Sequence, residues 1–277
     1  MKFSSNRRAL AGVMAVALAV IAAPVVAQKK YDPGAADPEI KIGQTMPYSG
    51  PASAYGTIGK VEAAYFKKIN DEGGINGRKI NFLSLDDGYN PAKTVEMVRR
   101  LVEQDEVLLV VGPLGTASNT AIHKYMNAKK VPQLFVATGA SMWNDPKNYP
   151  WTMGYQPNYQ TETTIYAKHI LQTKPKAKIG VLYQNDDYGK DYLKGLKDGL
   201  GDKAAKMIVA EAAYEVTDPT IDSQFVQLQS SGADVFINIA TPKFAAQAIR
   251  KAYDIGWKAV QYVNNVSVSV GAVLQPA

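Results

Sequence analysis

The 277-residue sequence contains no cysteine. In an oxidising compartment such a chain has neither disulfides to form nor a thiol to protect. Histidine is almost as scarce, with two residues. His123 and His169 both fall inside predicted helices and share no ligand spacing with Asp or Glu, so they read as surface or packing residues and no metal is expected. The G-x-G-x-x-G spacing of a dinucleotide site, the Gly-Lys-Ser/Thr of a phosphate-binding loop and the G-x-S-x-G of an α/β-hydrolase nucleophile are also missing. No cofactor is therefore expected. There is no short-period repeat or low-complexity tract, and nothing acidic follows Asp254.

The first residues are distinctive. Lys2, Arg7 and Arg8 precede an apolar run from Ala9 to Ala23, and Val25-Val26-Ala27 supplies small residues for cleavage. This pattern predicts a secretory signal peptide over residues 1–27, because the run is shorter than the roughly 18 residues a spanning helix needs. No Cys stands near Ala27 to carry a lipid. Cleavage would remove three basic residues and no acid, leaving 28 Lys and Arg against 25 Asp and Glu, a net charge of +3 rather than +6. Basic residues are mixed with acids, as in Lys67-Lys68 beside Asp71-Glu72, so nucleic acid is not an expected partner.

Residues 28–38 are polar and broken by Pro33, Gly34 and Pro38, which predicts an extended arm. From Glu39 onward short apolar runs alternate with amphipathic segments. Strands are expected at Ile40–Thr45, Lys79–Leu85, Val107–Val111 and Gln133–Ala137, with helices at Tyr55–Asp71, Pro91–Gln104 and Asn119–Lys129. In the first helix Ile58, Val61, Ala64, Tyr65 and Ile69 share one face, predicted to meet a core, and Gly73-Gly74 closes it. Prolines 146, 150 and 157 interrupt the rhythm. A second series then places strands at Lys178–Tyr183, Met207–Ala212, Val235–Ile239 and Val260–Val263, and helices at Tyr159–Gln172, Tyr188–Leu200, Thr220–Ser231 and Phe244–Tyr253. The pattern predicts an α/β protein of two similar halves with parallel sheets, residues 39–150 and 151–264, joined near residue 150. Residues 265–277 are expected to begin a return crossover to the first half, left incomplete.

In parallel sheets ligands sit beyond the carboxyl ends of strands. There Thr116 and Ser118 offer hydroxyls where the free N–H groups of a helix start point outward, an arrangement that suits a carboxylate. It equally suits a plain helix cap. The next strand ends in Ala137-Thr-Gly-Ala-Ser141, a second loop of small residues and hydroxyls, and two such loops favour a pocket. Asp86-Asp87 and Asp186-Asp187 read as turn and capping acids rather than catalytic pairs.

Several segments together resemble the branched-chain amino acid (Leu/Ile/Val) type of periplasmic solute-binding protein. They are Ile40-Lys-Ile-Gly43, Pro47-Tyr-Ser-Gly-Pro51 with Tyr55-Gly56, Gly73-Gly-Ile-Asn-Gly77, Asp86-Asp87 before Pro91, Gly112-Pro113 and Asp187-Tyr188-Gly189. The resemblance implies a type I periplasmic binding protein, with two Rossmann-like lobes joined by a hinge. It also implies a periplasmic, non-enzymatic monomer that delivers a small carboxylate ligand to an inner-membrane ABC permease. It assigns the ligand carboxylate to Thr116, Gly139, Ala140 and Ser141, and aromatic contacts to Tyr55 and to Tyr188, the latter meeting the ligand on closure. Such proteins continue beyond the point where this sequence ends, which predicts a C-terminal truncation. Amino acid binders of the type also carry an acid for the ligand ammonium where this chain has Asn264, Asn265 and Ser267. Asn265 is accordingly expected to offer only a neutral acceptor, which favours a carboxylate without an amino group. A branched-chain or other amino acid ligand, a secreted enzyme and a sensory module are the alternatives.

Overall fold

The computed structural model describes residues 30–277, so the predicted signal peptide and residues 28–29 of the arm lie outside the described residues. The first half runs β1 (Glu39–Met46), α1 (Gly56–Asp71), β2 (Lys79–Asp86), α2 (Pro91–Glu103), β3 (Leu109–Val111), α3 (Thr116–Lys129), β4 (Gln133–Val136) and β5 (Thr152–Gly154). The second runs α4 (Tyr159–Thr173), β6 (Ile179–Gln184), α5 (Asp187–Leu200), α6 (Ala204–Met207), β7 (Ile208–Tyr214), α7 (Asp222–Ser230), β8 (Val235–Ile239), α8 (Pro242–Asp254) and β9 (Val260–Val263). Two all-parallel sheets result, in the orders β2-β1-β3-β4-β5 and β7-β6-β8-β9. Both lie within the compact unit from Asp32 to Ala277.

Each order reverses once. The chain steps from β1 outward to β2 and then back past β1 to β3; in the second sheet it steps from β6 to β7 and back to β8. At such a reversal the two loops leaving the neighbouring central strands diverge to opposite faces and open a crevice between them. The loops after β1 and β3, and after β6 and β8, are therefore the ones geometry favours for a ligand.

Three apolar clusters hold the unit together. Val98, Leu101, Val110, Ile122 and Met126 pack α2 and α3 on one face of the first sheet. Leu182, Phe225, Phe236 and Phe244 fill one face of the second. The third cluster packs α4 and α5 on that sheet's other face and takes in Val136, Ala140 and Trp143 from the first half. This shared cluster couples the two halves through buried side chains.

Helix α1 departs from expectation. Ile58, Val61 and Tyr65 are 37%, 62% and 58% exposed. The helix sits on the sheet through Gly59, where an added Cβ would lie 2.2 Å from the Tyr48 hydroxyl, and through Phe66 against Phe82, their rings 4.9 Å apart. These contacts turn the Ile58–Val61–Tyr65 stripe away from the sheet. Gly73 and Gly74 do close α1, with φ of 111° and 81°. The proline-broken segment holds one strand the periodicity missed, β5, paired beside β4. Its three residues are too few to display an alternation.

The terminal stretch also differs from expectation. Instead of starting back toward the first half, residues 270–274 coil against α8, with Val273 buried in the second-half core and the Arg250 guanidinium donating to the Pro276 carbonyl at 2.7 Å. An apolar Val273 gains more from that core than from an open crossover. The arm is no free extension either. Gly34 (φ 77°) lies so close to Leu108 that a Cβ would stand 2.1 Å from its amide nitrogen, and Lys41 donates its N–H to the Gly34 carbonyl at 2.8 Å.

Candidate functional site

A cavity of about 860 Å³ opens where the two reversal crevices face each other. That volume falls in the range of small-molecule sites, roughly 300 to 1,000 Å³. Its walls come from the loop after β1 (Ala54, Tyr55), the first turn of α1 (Thr57, Ile58), the loop after β2 (Tyr89), the β3–α3 junction (Leu114, Gly115, Thr116), Ala137, Gln156 and Tyr159, Tyr188 of α5, Thr241 and Pro242 at the start of α8, and six residues of the terminal segment between Asn265 and Ala272. Four tyrosines and no charged side chain are among these lining residues.

Thr116 occupies the first turn of α3, after Gly115 with φ 102°. That left-handed backbone needs glycine, and it aims the helix start into the cavity. The buried Thr116 hydroxyl pairs with that of Thr138 at 2.6 Å. Helix α3 thus begins three residues before the sequence pattern placed it, because Thr116 and Ser118 are polar and carry no periodicity signal. Among these polar residues Asn119 donates to the Pro113 and Gly115 carbonyls, each at 2.8 Å.

Of the residues the sequence singled out, Tyr55, Thr116, Tyr188 and Asn265 line the cavity; Gly139, Ala140 and Ser141 do not. A Cβ on Gly139 would lie 2.1 Å from the Pro157 carbonyl oxygen and 2.7 Å from the Tyr159 ring, so its backbone abuts a cavity wall rather than the cavity. Ala140 is taken into the shared core. Ser141 faces α5, where its N–H and hydroxyl donate to Asp191 at 3.0 and 2.8 Å. An aspartate within reach satisfies the donors that would otherwise serve a ligand carboxylate, and it ties the halves together at their surface.

Tyr188 is both wall and core. It is 2% exposed, lies edge-on to Tyr159 and Tyr192, and accepts a hydrogen bond from Asn264 Nδ2 at 2.7 Å. It is built into the second half rather than held ready for closure. Burial raises its hydroxyl pKa well above the usual tyrosine value, as it does for Tyr55 and Tyr89, and pushes Tyr159 up to about 12. All four phenols stay neutral and act as hydrogen-bond donors or acceptors with an apolar ring.

The sequence reading missed Glu162, Tyr89, Tyr159, Gln156 and Thr241. Glu162 on α4 accepts from the Asn265 N–H at 2.8 Å, from the Tyr192 hydroxyl at 2.7 Å, and from the Asn265 side-chain amide and the Tyr166 hydroxyl. A carboxylate so engaged fixes Asn265 with its NH2 turned to Glu162. No local spacing signals this pairing across 103 residues. Ser267 is buried and spends its hydroxyl on the Ala240 carbonyl.

The acid pairs hold loops. Asp186 caps α5 by accepting the Gly189 N–H at 3.1 Å. Buried Asp87 accepts from the Tyr89 N–H and the Thr94 hydroxyl. Asp86 accepts from Tyr48 N–H, Ser49 N–H and Gly88 N–H at 2.9 to 3.1 Å, and so anchors the loop that carries Tyr55. Desolvation raises its pKa, but the Ser49 hydroxyl, these amides and Lys93 outweigh that and lower it from 3.8 to about 2. A depressed folded-state pKa contributes stability above the unfolded value that is lost as pH falls through the folded one. Asp86→Asn is thus expected to flatten the acid loss of stability between pH 3.8 and about 2, read as the difference in urea midpoints from the parent. Parallel pH profiles would show that the loop does not depend on this charge.

His123 is a packing residue, buried and stacked on Tyr149 at 3.8 Å. His169 Nδ1 pairs with the Tyr262 hydroxyl at 2.6 Å.

A family model described as "Periplasmic binding protein" matches residues 39–275. A Brucella suis protein named Leu/Ile/Val-binding protein homolog 1 is 26% identical over 88% of this chain and 66% of its own length. A substrate-binding periplasmic protein of Ralstonia solanacearum superposes with a TM-score of 0.76 at 27% identity, covering 83% of this chain and 64% of that one. A fatty acid ABC transporter substrate-binding protein of Thermomonospora curvata has a similar fold, with a TM-score of 0.74 at 23% identity over 86% of this chain and 60% of that one. The chain spans about half to two thirds of the length of the curated relatives it matches.

Proposed function

This chain belongs to the periplasmic binding protein family, of the Leu/Ile/Val-binding type, and on that premise we propose that it is the exported substrate-binding component of an ABC importer, capturing a small organic carboxylate with an aromatic or aliphatic body. The observation that carries this reading is the cavity between the two sheets, with four tyrosines, the α3 start at Thr116 and no charged lining side chain. A carboxylate at a helix start gains charge-assisted hydrogen bonds and the positive end of the helix dipole. Tyrosine rings supply apolar area with few rotatable bonds. An ammonium group in the same cavity would find only neutral acceptors, and burying it unpaired costs several kcal/mol. A cavity lined without a nucleophile–base pair also favours carriage over conversion.

The second reading is an amino acid ligand, in line with the name of the Brucella relative. It is favoured by Glu162, whose carboxylate lies directly behind cavity-lining Asn265. A thermal-shift panel separates the two, pairing leucine, isoleucine and valine with their 2-oxo analogues and adding benzoate. A true ligand at a hundred times its Kd adds about 2.7 kcal/mol of stability. Stabilisation by the oxo acids or benzoate, and not by the amino acids, is expected; the reverse pattern assigns the site to amino acids. Recovery of the bound acid unchanged at one equivalent is expected, and multiple turnovers would make the protein an enzyme.

A further inference from the structure

Asn265 stands on the cavity wall, and its surroundings decide which end of its amide is left for a ligand. Its backbone N–H donates to Glu162 Oε1 at 2.8 Å, and its side-chain NH2 donates to Glu162 Oε2. An ionised carboxylate can only accept, so turning the amide around would set oxygen against oxygen. The nitrogen is therefore committed, and Oδ1 is the end without a partner among the described residues. Glu162 is equally fixed. It lies in the first turn of α4, where the helix dipole favours a negative charge, and it also accepts from the Tyr192 hydroxyl at 2.7 Å and from the Tyr166 hydroxyl. With four donors on its two oxygens it does not require a ligand cation, and it is not among the residues that line the cavity.

The neighbouring residue sets a second polarity. Asn264 Nδ2 faces the Asn238 and Ala240 carbonyls at 3.1 and 3.4 Å, so the nitrogen of this amide is fixed as well. The same nitrogen reaches the Tyr188 oxygen at 2.7 Å, which makes that oxygen the acceptor and leaves the Tyr188 proton without an acceptor among the described residues. Tyr188 and Asn265 both line the cavity, and Asn264 joins them. This part of the wall thus combines an amide oxygen that lacks a donor with a phenol that lacks an acceptor. A keto oxygen satisfies only the phenol and opposes Oδ1; an ammonium satisfies only Oδ1 and opposes the phenol proton. A hydroxyl donates and accepts at once, and so satisfies both.

We infer that Asn265, oriented by Glu162, and Tyr188 form a hydroxyl subsite, and that the ligand is a hydroxy acid. Glu162 is a positioning residue in this arrangement: it touches Asn265 and not the ligand. The inference rests on the carboxylate reading of the cavity and adds the ligand's second functional group. Calorimetric titration with two series of acids tests it. The first series keeps one aliphatic body, 4-methylpentanoate with its 2-oxo, 2-hydroxy and 2-amino derivatives, the last being leucine. The second is benzoate with its monohydroxy isomers, which move the hydroxyl around the ring.

At least one hydroxy acid is expected to bind about twofold to tenfold more tightly than its unsubstituted parent, the worth of one neutral hydrogen bond. Asn265→Ala, at an exposed position, should bring that ratio close to one. Glu162→Gln should lower it too, because an amide at 162 donates as well as accepts and no longer dictates which way Asn265 turns. A Glu162 that only supports the fold predicts a lower thermal midpoint, with both affinities weakened alike and the ratio kept; that outcome overturns its positioning role. Parents that bind while no hydroxy acid gains over them overturn the subsite and leave the carboxylate reading standing. A hydroxyl advantage that survives Asn265→Ala belongs elsewhere on the wall and overturns the assignment. Leucine binding more tightly than every other acid, or no acid binding at all, overturns the subsite and the carboxylate reading together.

Discussion

Tyr188→Ala is expected to lower the unfolding free energy by about 3 to 5 kcal/mol, the cost of emptying an aromatic site in a packed core. The ring is 2% exposed and touches Tyr159 and Tyr192 edge-on, while its hydroxyl accepts from Asn264, whose buried amide would lose that acceptor. An unliganded urea titration reads the effect as a lower midpoint at an unchanged slope. The size of the loss separates two roles for the residue. A side chain that merely waits to meet a ligand costs little stability when removed, and a change within about 0.5 kcal/mol, the usual range at exposed positions, would place Tyr188 in that class. Tyr188→Phe keeps the ring packing and isolates the hydroxyl, so a loss near 1 kcal/mol is expected from it.

Thr116→Ala carries the largest expected effect on binding. The residue lines the cavity at the α3 start, and its hydroxyl is paired with that of Thr138. Losing a hydrogen bond to a charged group costs about 1.5 to 3 kcal/mol, which is roughly tenfold to more than a hundredfold in Kd. Calorimetric titration of the parent and the variant, using whichever acid of the panel stabilises most, measures this directly, and Thr116→Ser should recover most of the affinity. Normal binding by Thr116→Ala would move the carboxylate away from α3. Ser141→Ala makes the informative contrast: with its N–H and hydroxyl committed to Asp191, it should change Kd much less than Thr116→Ala does.

The amino-acid sequence by itself determined the alternation of strands and helices, because burial on a sheet or against a helix imprints a period that is local to each segment. It marked Thr116 through a strand-end loop rich in hydroxyls and glycine, Tyr55 through the family resemblance alone, and the absence of an acid after Asp254. It could not say which loops converge. That depended on the strand orders β2-β1-β3-β4-β5 and β7-β6-β8-β9, which bring the loops after β1, β3, β6 and β8 together, while the loop after β4 reaches the cavity only through Ala137. Gly139, Ala140 and Ser141 belong to that last loop, and they stand clear of the cavity even though their composition matches that of the Thr116 loop. Packing likewise decided the outward turn of Ile58, Val61 and Tyr65 on α1: a periodicity shows that a helix has an apolar face, and only the contacts at Gly59 and Phe66 fix where it points. Glu162 behind Asn265 and Tyr188 beneath Asn264 join residues 103 and 76 positions apart. Pairings of that length are selected by the shape of the assembled sheets and by the need to satisfy buried polar groups, and neither is written in any single stretch of the chain.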